Sequence, residues 1–201
     1  MRAQTSSAAY AGLAVTPSRY LELPEDPDYR YDVIDGVMHV SPSPTAEHSS
    51  AAGEFYFRLR QYLASAEAPA FAAGGRAFME LDVLLPDGGD PLRPDVHFVR
   101  TERLHIVDRY TVGTPDLVME VLSPRTAERD LGGKSDRFMR CGVQEYWLLD
   151  PRDQSLRLRT PGPAEQGAFF SERQVQAEGV LRSRLLPGFA VGPADLLKKR
   201  P

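Results

Sequence analysis

Hydrophobic and polar residues alternate from Arg30 to Val40, which is the pattern of strands that bury one face. The alternation is interrupted once, at Asp35-Gly36, a dipeptide typical of the two-residue turn of a β-hairpin. The pattern therefore predicts a hairpin, with YDVI in its first strand and VMHV in its second.

A long amphipathic helix is predicted to follow the hairpin. Apolar residues recur between Ala46 and Ala64 at helical intervals, which places them on one face. The segment before them is rich in proline and serine, and Ser43 or Thr45 can cap the first turn. The break and the spacing together predict one helix over this range.

Two nearly continuous apolar segments, Pro115–Leu122 and Val143–Asp150, are typical of strands buried on both faces. Between them, Asp130–Cys141 is predicted as a helix, and Gly142 follows where a left-handed residue often ends one. This strand-helix-strand order implies a parallel crossover connection.

Other strands are predicted to pair in the antiparallel sense. Ala77–Leu85 alternates, and the residues expected to face the core are Met79, Leu81, Val83 and Leu85. A short strand is expected at Val96–Val99, before a less regular loop at 101–114. A C-terminal antiparallel meander is expected at Leu156–Thr160, Phe169–Phe170 and Gln174–Leu181. The predicted class is α/β with a mixed sheet (α+β) and flanking helices.

Length and composition favour a single domain. A chain of 201 residues, 42% of them hydrophobic, can bury one sizeable core but divides poorly into two. We expect a disordered leader at 1–24, one domain at 25–196 and a short tail at 197–201. No apolar run of about 18 residues is present, which argues against a membrane span. Cys141 is the only cysteine, which excludes an internal disulfide and a cysteine-cluster zinc site and suggests a reducing, cytoplasmic location.

The net charge of −4 excludes the global basic field of many nucleic-acid-binding proteins. An anionic ligand would therefore need a local positive potential or a bound cation. Four arginines close to the predicted 130–141 helix could contact phosphates, or could be ordinary solvated side chains: Arg125, Arg129, Arg137 and Arg140.

Two carboxylates stand at the ends of predicted strands. Asp95 directly precedes the strand at 96–99, and Glu120 lies near the end of an apolar strand. A charged group among Leu, Val and Met is costly unless it is paired or binds a cation. A buried arginine, or exposure at the strand end, would also satisfy Glu120, and Asp95 could simply cap a turn. Two acids on adjacent strands would supply the oxygen ligands that Mg²⁺ prefers.

A rare lysine completes the candidate set. Of 24 basic residues 21 are arginine, and Lys134 is the only lysine before Lys198 and Lys199. Lysine supplies a compact point charge that could orient an attacking water or offset charge in a transition state. Two acids and a lysine suggest metal-dependent phosphodiester hydrolysis. The alternative is a surface ion pair with Asp130, four residues earlier on the helix.

The ordered motifs resemble the Uma-two family of bacterial restriction endonucleases, a branch of the PD-(D/E)XK nuclease superfamily. The segments that carry the resemblance are YDVIDGVMHVSPSP at 31–44, His48, RPDVHFV at 93–99, GTPDLVMEVLSP at 113–124, Lys134, GVQEYWLLDP at 142–151 and LPGF at 186–189. The resemblance extends over residues 25 to 195, most of the chain.

The resemblance implies a restriction-endonuclease-like core and divalent-metal-dependent cleavage of DNA. The catalytic positions that it implies are Asp95, Glu120 and Lys134, with His48 and Asp32 as further active-site residues. The metal ligands that it implies are Asp95, Glu120 and Val121. The superfamily usually has its lysine two residues after the second acid, where this chain has Leu122, and the Uma-two branch carries it on the helix instead.

The sequence thus predicts an endonuclease that acts on DNA with Mg²⁺, or with Mn²⁺. We expect a homodimer, because one small site cuts one strand and cleavage of a duplex needs two. Two alternatives stay open: a catalytically silent nuclease-fold module that binds nucleic acid or protein, and a metal-dependent hydrolase of another phosphate ester.

Overall fold

The computed structural model describes residues 7–24, 26–86, 89–162 and 170–197. The helices in these ranges are α1 (Pro17–Leu21), α2 (Ala46–Leu63), α3 (Ala70–Ala73), α4 (Ala127–Leu131), α5 (Gly133–Arg140) and α6 (Pro193–Leu196). Short 3₁₀ helices lie at Ser7–Tyr10 and Thr101–Ile106. The strands are β1 (Tyr29–Ile34), β2 (Val37–Pro42), β3 (Arg76–Met79), β4 (Val83–Leu84), β5 (Pro91–Leu92), β6 (Val96–Val99), β7 (Thr111–Val112), β8 (Leu117–Val121), β9 (Glu145–Asp150), β10 (Ser155–Pro161), β11 (Phe170–Gln176), β12 (Leu181–Arg182) and β13 (Ala190–Val191).

Six strands form the central sheet, in the order β11-β10-β9-β8-β6-β3. Strands β8 and β9 are parallel, and every other neighbouring pair in this sheet is antiparallel. The parallel pair needs a crossover connection, which α4 and α5 supply as the strand-helix-strand order predicts. This mixed sheet, with antiparallel strands toward the C-terminus and flanking helices, confirms the predicted fold class.

Helices cover both faces of the sheet. On one face, the ring of Phe55 in α2 lies 5.8 Å from that of Trp147 and 5.7 Å from that of Phe189, centroid to centroid. On the other face, Phe138 of α5 packs against Tyr146, with 5.9 Å between the ring centroids. Adjacent residues of β9 point to opposite faces, so Tyr146 packs in the hydrophobic core on one face of the sheet and Trp147 in the core on the other. Both are fully buried, as expected of a strand enclosed on both sides.

The predicted hairpin and long helix are both present. Strands β1 and β2 pair antiparallel around Asp35 and Gly36, whose φ values of 53° and 72° are those of a tight left-handed turn. Helix α2 begins at Ala46, and the Thr45 hydroxyl accepts a hydrogen bond from the amide of His48. No helix in the described ranges is long and apolar enough to cross a membrane.

The disordered leader predicted at 1–24 is wrong for residues 7–24. This segment forms a 3₁₀ helix and α1, and it packs on the β1–β2 hairpin. The Val15 amide donates to the Gly36 carbonyl, and Tyr20 is buried against Tyr31 and Met38. Scattered apolar residues in a polar segment gave little periodic signal, and among the described side chains of this segment only Tyr20 becomes buried against the hairpin, with Val15 and Leu23 partly buried. Residues 1–6 and 198–201, the latter most of the predicted tail, lie outside the described residues.

The strand predicted at Ala77–Leu85 is also corrected. Strand β3 ends at Met79, because Glu80 has a φ of 53° and turns the chain into the separate small sheet of β4. The turn shifts the alternation, so that Met79 is 36% exposed and Asp82 is buried. Val83 and Leu85 are buried as predicted.

Two further boundaries differ from the prediction. The helix predicted at Asp130–Cys141 is divided into α4 and α5 by a sharp backbone turn at Gly132, with φ −103° and ψ −109°. The last predicted strand, Gln174–Leu181, is interrupted after β11 by Ala177, whose φ is 46°. Phe169, predicted as strand, lies outside the described residues.

A buried histidine makes the fold sensitive to acid. His97 of β6 is fully buried, and burial lowers its pKa from 6.5 to about 3. A histidine whose pKa is depressed in the folded state contributes stability that is complete above pH 6.5 and is lost as the pH falls toward 3. We expect the thermal midpoint of His97→Gln to fall less steeply than that of the parent over this window, measured by circular dichroism.

The matched control is His105→Gln, which replaces an exposed histidine and should leave the slope of the parent unchanged. Parallel curves for the parent and His97→Gln would show that His97 does not cause the acid sensitivity.

Candidate active site

A cavity of about 590 Å³ opens where the end of β8 meets the start of α2 and the start of α5. All the site residues predicted from the sequence line this one cavity: Asp32, His48, Asp95, Glu120, Val121 and Lys134. They come from five separate elements or their edges, so only the tertiary fold brings them together.

Asp95 is the most heavily hydrogen-bonded acid of the cavity. Its Oδ1 accepts from Nη1 of Arg30 at 2.6 Å, and its Oδ2 accepts from the Val121 amide at 2.8 Å and lies 2.9 Å from Nε2 of His48. Burial alone would raise the pKa of Asp95, but His48, Arg30 and the Val121 amide together lower it well below the ordinary value. Asp95 is therefore an anion at any physiological pH.

Glu120 lies beside Asp95, but its pKa is shifted in the opposite direction. Its Oε2 accepts from the Asp95 amide at 3.3 Å, and its Oε1 lies 2.8 Å from Nζ of Lys134. Burial raises the pKa of Glu120 well above the ordinary value, and Lys134 opposes this only in part. The nearby charges of Asp95 and Asp130 raise it further. The two neighbouring acids thus differ in how readily they ionise.

Lys134 is 2% exposed and has its charge inside the protein. Its Nζ lies 2.8 Å from Oε1 of Glu120, 3.2 Å from Oδ1 of Asp32 and 2.8 Å from the carbonyl oxygen of Arg93. The Arg93 carbonyl accepts a hydrogen bond, and the two carboxylates supply the opposite charge. Burial lowers the pKa of Lys134, but the two carboxylates outweigh burial and hold the pKa above its ordinary value. The alternative of a surface ion pair with Asp130 is therefore wrong.

The glycine pair before Lys134 explains how a helical lysine reaches the cavity. A Cβ on Gly133 would lie 3.0 Å from Cγ2 of Ile34 in β1, closer than almost all side-chain contacts. Glycine therefore allows the first turn of α5 to approach the hairpin, and Lys134 enters the cavity from that turn. Gly132-Gly133 was the available sequence signal for this approach.

Asp32 acts as a buried counter-ion. Its Oδ1 accepts from the Arg93 amide at 2.8 Å, and its Oδ2 lies 3.3 Å from Nη2 of Arg129. Burial raises the pKa of Asp32, yet Lys134 and Arg129 together bring it below the ordinary value. Asp32 is thus ionised beside Lys134.

Two site arginines were missed in the sequence. Arg30 bridges Asp95 and Glu80, and Arg93 holds Lys134 and Asp32 through its main chain. Arg30 could have been found, because it stands two residues before Asp32 on the same face of β1. The main-chain contacts of Arg93 could not be predicted from the sequence, because they do not depend on which side chain the residue has. Among the arginines considered in the sequence, Arg125 and Arg129 line the cavity.

The acids of the cavity are of the chemical type that binds a divalent cation, but they do not form a complete set of metal ligands. The described residues contain no group of three or more His, Cys, Asp or Glu side chains arranged to hold a metal. Asp95 and Glu120 both line the cavity, the Asp95 amide donates to the Glu120 carboxylate at 3.3 Å, and their carboxylates are hard oxygen ligands of the kind that Mg²⁺ selects. Burial raises the pKa of Glu120, and the nearby charges of Asp95 and Asp130 raise it further, so a bound cation would favour the ionised carboxylate.

Comparisons with known proteins agree with this architecture. The model of the Uma2 family, described as "Putative restriction endonuclease", matches residues 17–194. This chain belongs to the Uma2 family. The resemblance recognised in the motifs is thereby confirmed, and the Uma2 match extends upstream of residue 25 to include α1.

A solved structure shares the Uma2 chain's fold. It is described as a "putative nuclease belonging to DUF820" from Anabaena variabilis, and it superposes with a TM-score of 0.73. The sequence identity is 19%, and the alignment covers 91% of this chain and 97% of the other. The comparison with curated proteins gives no match. At this identity the likeness establishes the common fold.

Proposed function

We propose that this protein is a metal-dependent endonuclease that hydrolyses phosphodiester bonds in DNA. The observation that carries the proposal is one cavity lined by Asp95, Glu120 and Lys134, in which Glu120 accepts from the Asp95 amide at 3.3 Å and lies 2.8 Å from the Lys134 ammonium. Membership of a family described as restriction endonucleases gives independent support.

Asp95 and Glu120 would hold the ion, Mg²⁺ or Mn²⁺, with their carboxylate oxygens. Val121 would contribute its main-chain carbonyl, because its side chain has no donor atom. When bound, such an ion polarises the scissile phosphate and lowers the pKa of a nearby water. Its charge would also keep Glu120 ionised.

The protein's own groups have separate roles. Lys134 stabilises the Glu120 carboxylate and places a fixed positive charge where negative charge develops on the phosphate. His48 is held by Asp95 at the cavity wall, where it can donate a hydrogen bond to a phosphate oxygen or a water. These groups are preorganised, because packing and hydrogen bonds set their positions before substrate enters.

An acidic chain can bind DNA here because the positive charge is local. Arg125 is exposed and lines the cavity, together with the partly buried Arg129. We assign the Arg125 side chain to the phosphates that flank the scissile bond, because Arg129 already pairs with Asp32 and Asp130. We also propose a homodimer, since one such site cuts one strand and cleavage of a duplex requires two.

Plasmid nicking tests the proposal directly. We expect purified protein to convert supercoiled DNA to the open form with Mg²⁺ or Mn²⁺ and to be inactive in EDTA. Asp95→Ala, Glu120→Ala and Lys134→Ala should each abolish nicking. Glu128→Ala is the matched control, because it removes an exposed acid of α4 that does not line the cavity.

The other outcomes separate the alternatives. Full activity in all three site variants would contradict the site assignment. A gel shift of intact DNA in Mg²⁺ without turnover would favour the binding module. Hydrolysis of a small phosphate ester but not of DNA would favour a different hydrolase.

A further inference from the structure

The main chain of Arg93 lies at the centre of the buried charge network. Its carbonyl oxygen accepts from Nζ of Lys134 at 2.8 Å, and its amide donates to Oδ1 of Asp32 at 2.8 Å. The Lys134 ammonium therefore donates a hydrogen bond to the Arg93 backbone, and its counter-ion Asp32 is held by the same residue. The position of Lys134 depends on where the Arg93 backbone is fixed.

A second acid fixes Arg93 from outside the cavity. Asp82 is 7% exposed and receives Nε and Nη2 of Arg93 at 2.6 and 3.0 Å, a two-point contact that sets the plane of the guanidinium. The hydroxyl of Tyr20 donates to Oδ1 of Asp82 at 2.9 Å. Asp82 does not line the cavity that contains Lys134.

We propose that Asp82 is a positioning residue for the nuclease reaction, acting through Arg93 on Lys134 and Asp32. The inference rests on the proposed function. Asp82 holds the Arg93 side chain, the Arg93 backbone holds Lys134 and Asp32, and Tyr20 connects α1 to this chain of contacts.

Loss of the contact between Asp82 and Arg93 should slow the reaction, because catalysis requires accurately positioned groups. A second cavity is lined by Tyr20, Asp82 and Arg93, among others. Without the two-point contact, the Arg93 side chain can move within this second cavity, and its backbone loses an anchor. A displacement of about 1 Å at a catalytic group can cost about 100-fold in rate. Pro94 restricts the backbone of Arg93 in any case, so the expected effect is part of this loss.

The test is the steady-state kinetics of Asp82→Asn on an oligonucleotide at saturating Mg²⁺. Asparagine keeps the shape of the side chain but removes the charge and one of the acceptor oxygens. We expect kcat to fall about 10-fold or more, while KM stays within about twofold, because no contact to DNA is removed. A role limited to stability would lower the thermal midpoint without changing kcat at a temperature where the variant is folded.

Asp116→Asn is the matched control. Asp116 is 1% exposed and likewise clamps arginines, accepting from Arg100 at 2.7 Å and from Arg103 at 2.8 Å, but it lies outside the cavity. We expect Asp116→Asn to lower the thermal midpoint by a similar amount and to keep the parent's kcat.

Tyr20→Phe is a milder second variant, which removes the hydrogen bonds of the hydroxyl to Asp82 and to the Tyr31 carbonyl and should lower kcat by a smaller factor in the same direction. If both Asp82→Asn and Tyr20→Phe keep the parent's kcat, or if Asp116→Asn loses as much, Asp82 has no positioning role. Either result leaves the proposed function intact, because the parent still cuts DNA. A parent that cuts no DNA would overturn both together.

Discussion

Replacing Lys134 with methionine is expected to reduce cleavage by at least about 10²–10³-fold and to lower the free energy of unfolding by about 3–5 kcal/mol at neutral pH. Methionine fills a similar volume, so the loss reports the charge rather than a cavity. The variant removes the Lys134 charge from Asp32 and Glu120, which are buried at 4% side-chain exposure, and leaves Asp32 with Arg129. Removing one partner of a buried ion pair leaves an uncompensated charge, which is far costlier than losing a surface pair.

The loss of stability should depend on pH in a defined direction. Lys134 lowers the pKa of Asp32 in the folded protein, so its contribution is present at neutral pH and disappears as the pH falls and Asp32 protonates. Urea unfolding of the parent and of Lys134→Met at neutral and acidic pH measures this. Arg60→Met, at an exposed position of α2, is the control and should change stability by about 0.5 kcal/mol or less. Equal stability of Lys134→Met and the parent at neutral pH would contradict the buried ion-pair network.

Glu120→Gln is expected to abolish cleavage and at the same time to raise stability in EDTA by about 0.5–2 kcal/mol. Burial raises the pKa of Glu120, so the ionised form is disfavoured in the folded protein. Its cost is present once the pH exceeds the ordinary glutamate pKa of 4.5, and a neutral amide removes that cost. Lys134 keeps Asp32 as its counter-ion, so the substitution leaves no buried lysine charge without a partner.

Mg²⁺ should change the thermal stability of the parent and of Glu120→Gln by different amounts. A ligand that binds only the folded state raises the midpoint of unfolding. We expect Mg²⁺ to raise the thermal midpoint of the parent and to leave that of Glu120→Gln unchanged, measured by calorimetry with and without EDTA.

Glu145→Gln is the matched control, since this acid is 1% exposed but lies outside the cavity and accepts from the Trp147 ring and the Ser183 hydroxyl. It should lose stability and keep the Mg²⁺ shift. An unchanged Mg²⁺ shift in Glu120→Gln would exclude Glu120 as a ligand.

Local patterns were sufficient for much of the architecture. Asp35-Gly36 predicts its hairpin because few residues accept the left-handed turn, and the 46–64 spacing predicts α2 because a helix repeats its face at regular intervals. Prediction from hydrophobic patterns fails where a single residue changes the direction of the backbone. Glu80 ends β3 with a positive φ, which alternation alone cannot reveal.

The candidate residues could be chosen from the sequence, because acids within apolar strands and a rare lysine are chemically conspicuous. The burial of these residues and the contacts between them could not be predicted from the sequence. The burial of Lys134 depends on the close approach of Gly133 to Ile34, a contact between residues 99 positions apart in the chain. The hydrogen bonds of the Arg93 backbone depend on peptide orientation, which side-chain identity does not encode.

The sequence by itself determined the hairpin, the two buried parallel strands, the main helix and the identity of the acids and the lysine, because each is a property of neighbouring residues or of residue chemistry. The tertiary structure alone decided that residues 7–24 dock on the hairpin and that Glu120, rather than Asp95, carries the raised pKa. Both outcomes depend on which distant groups surround a side chain. Burial and electrostatic interactions are set by distance in space, and a linear pattern does not contain those distances.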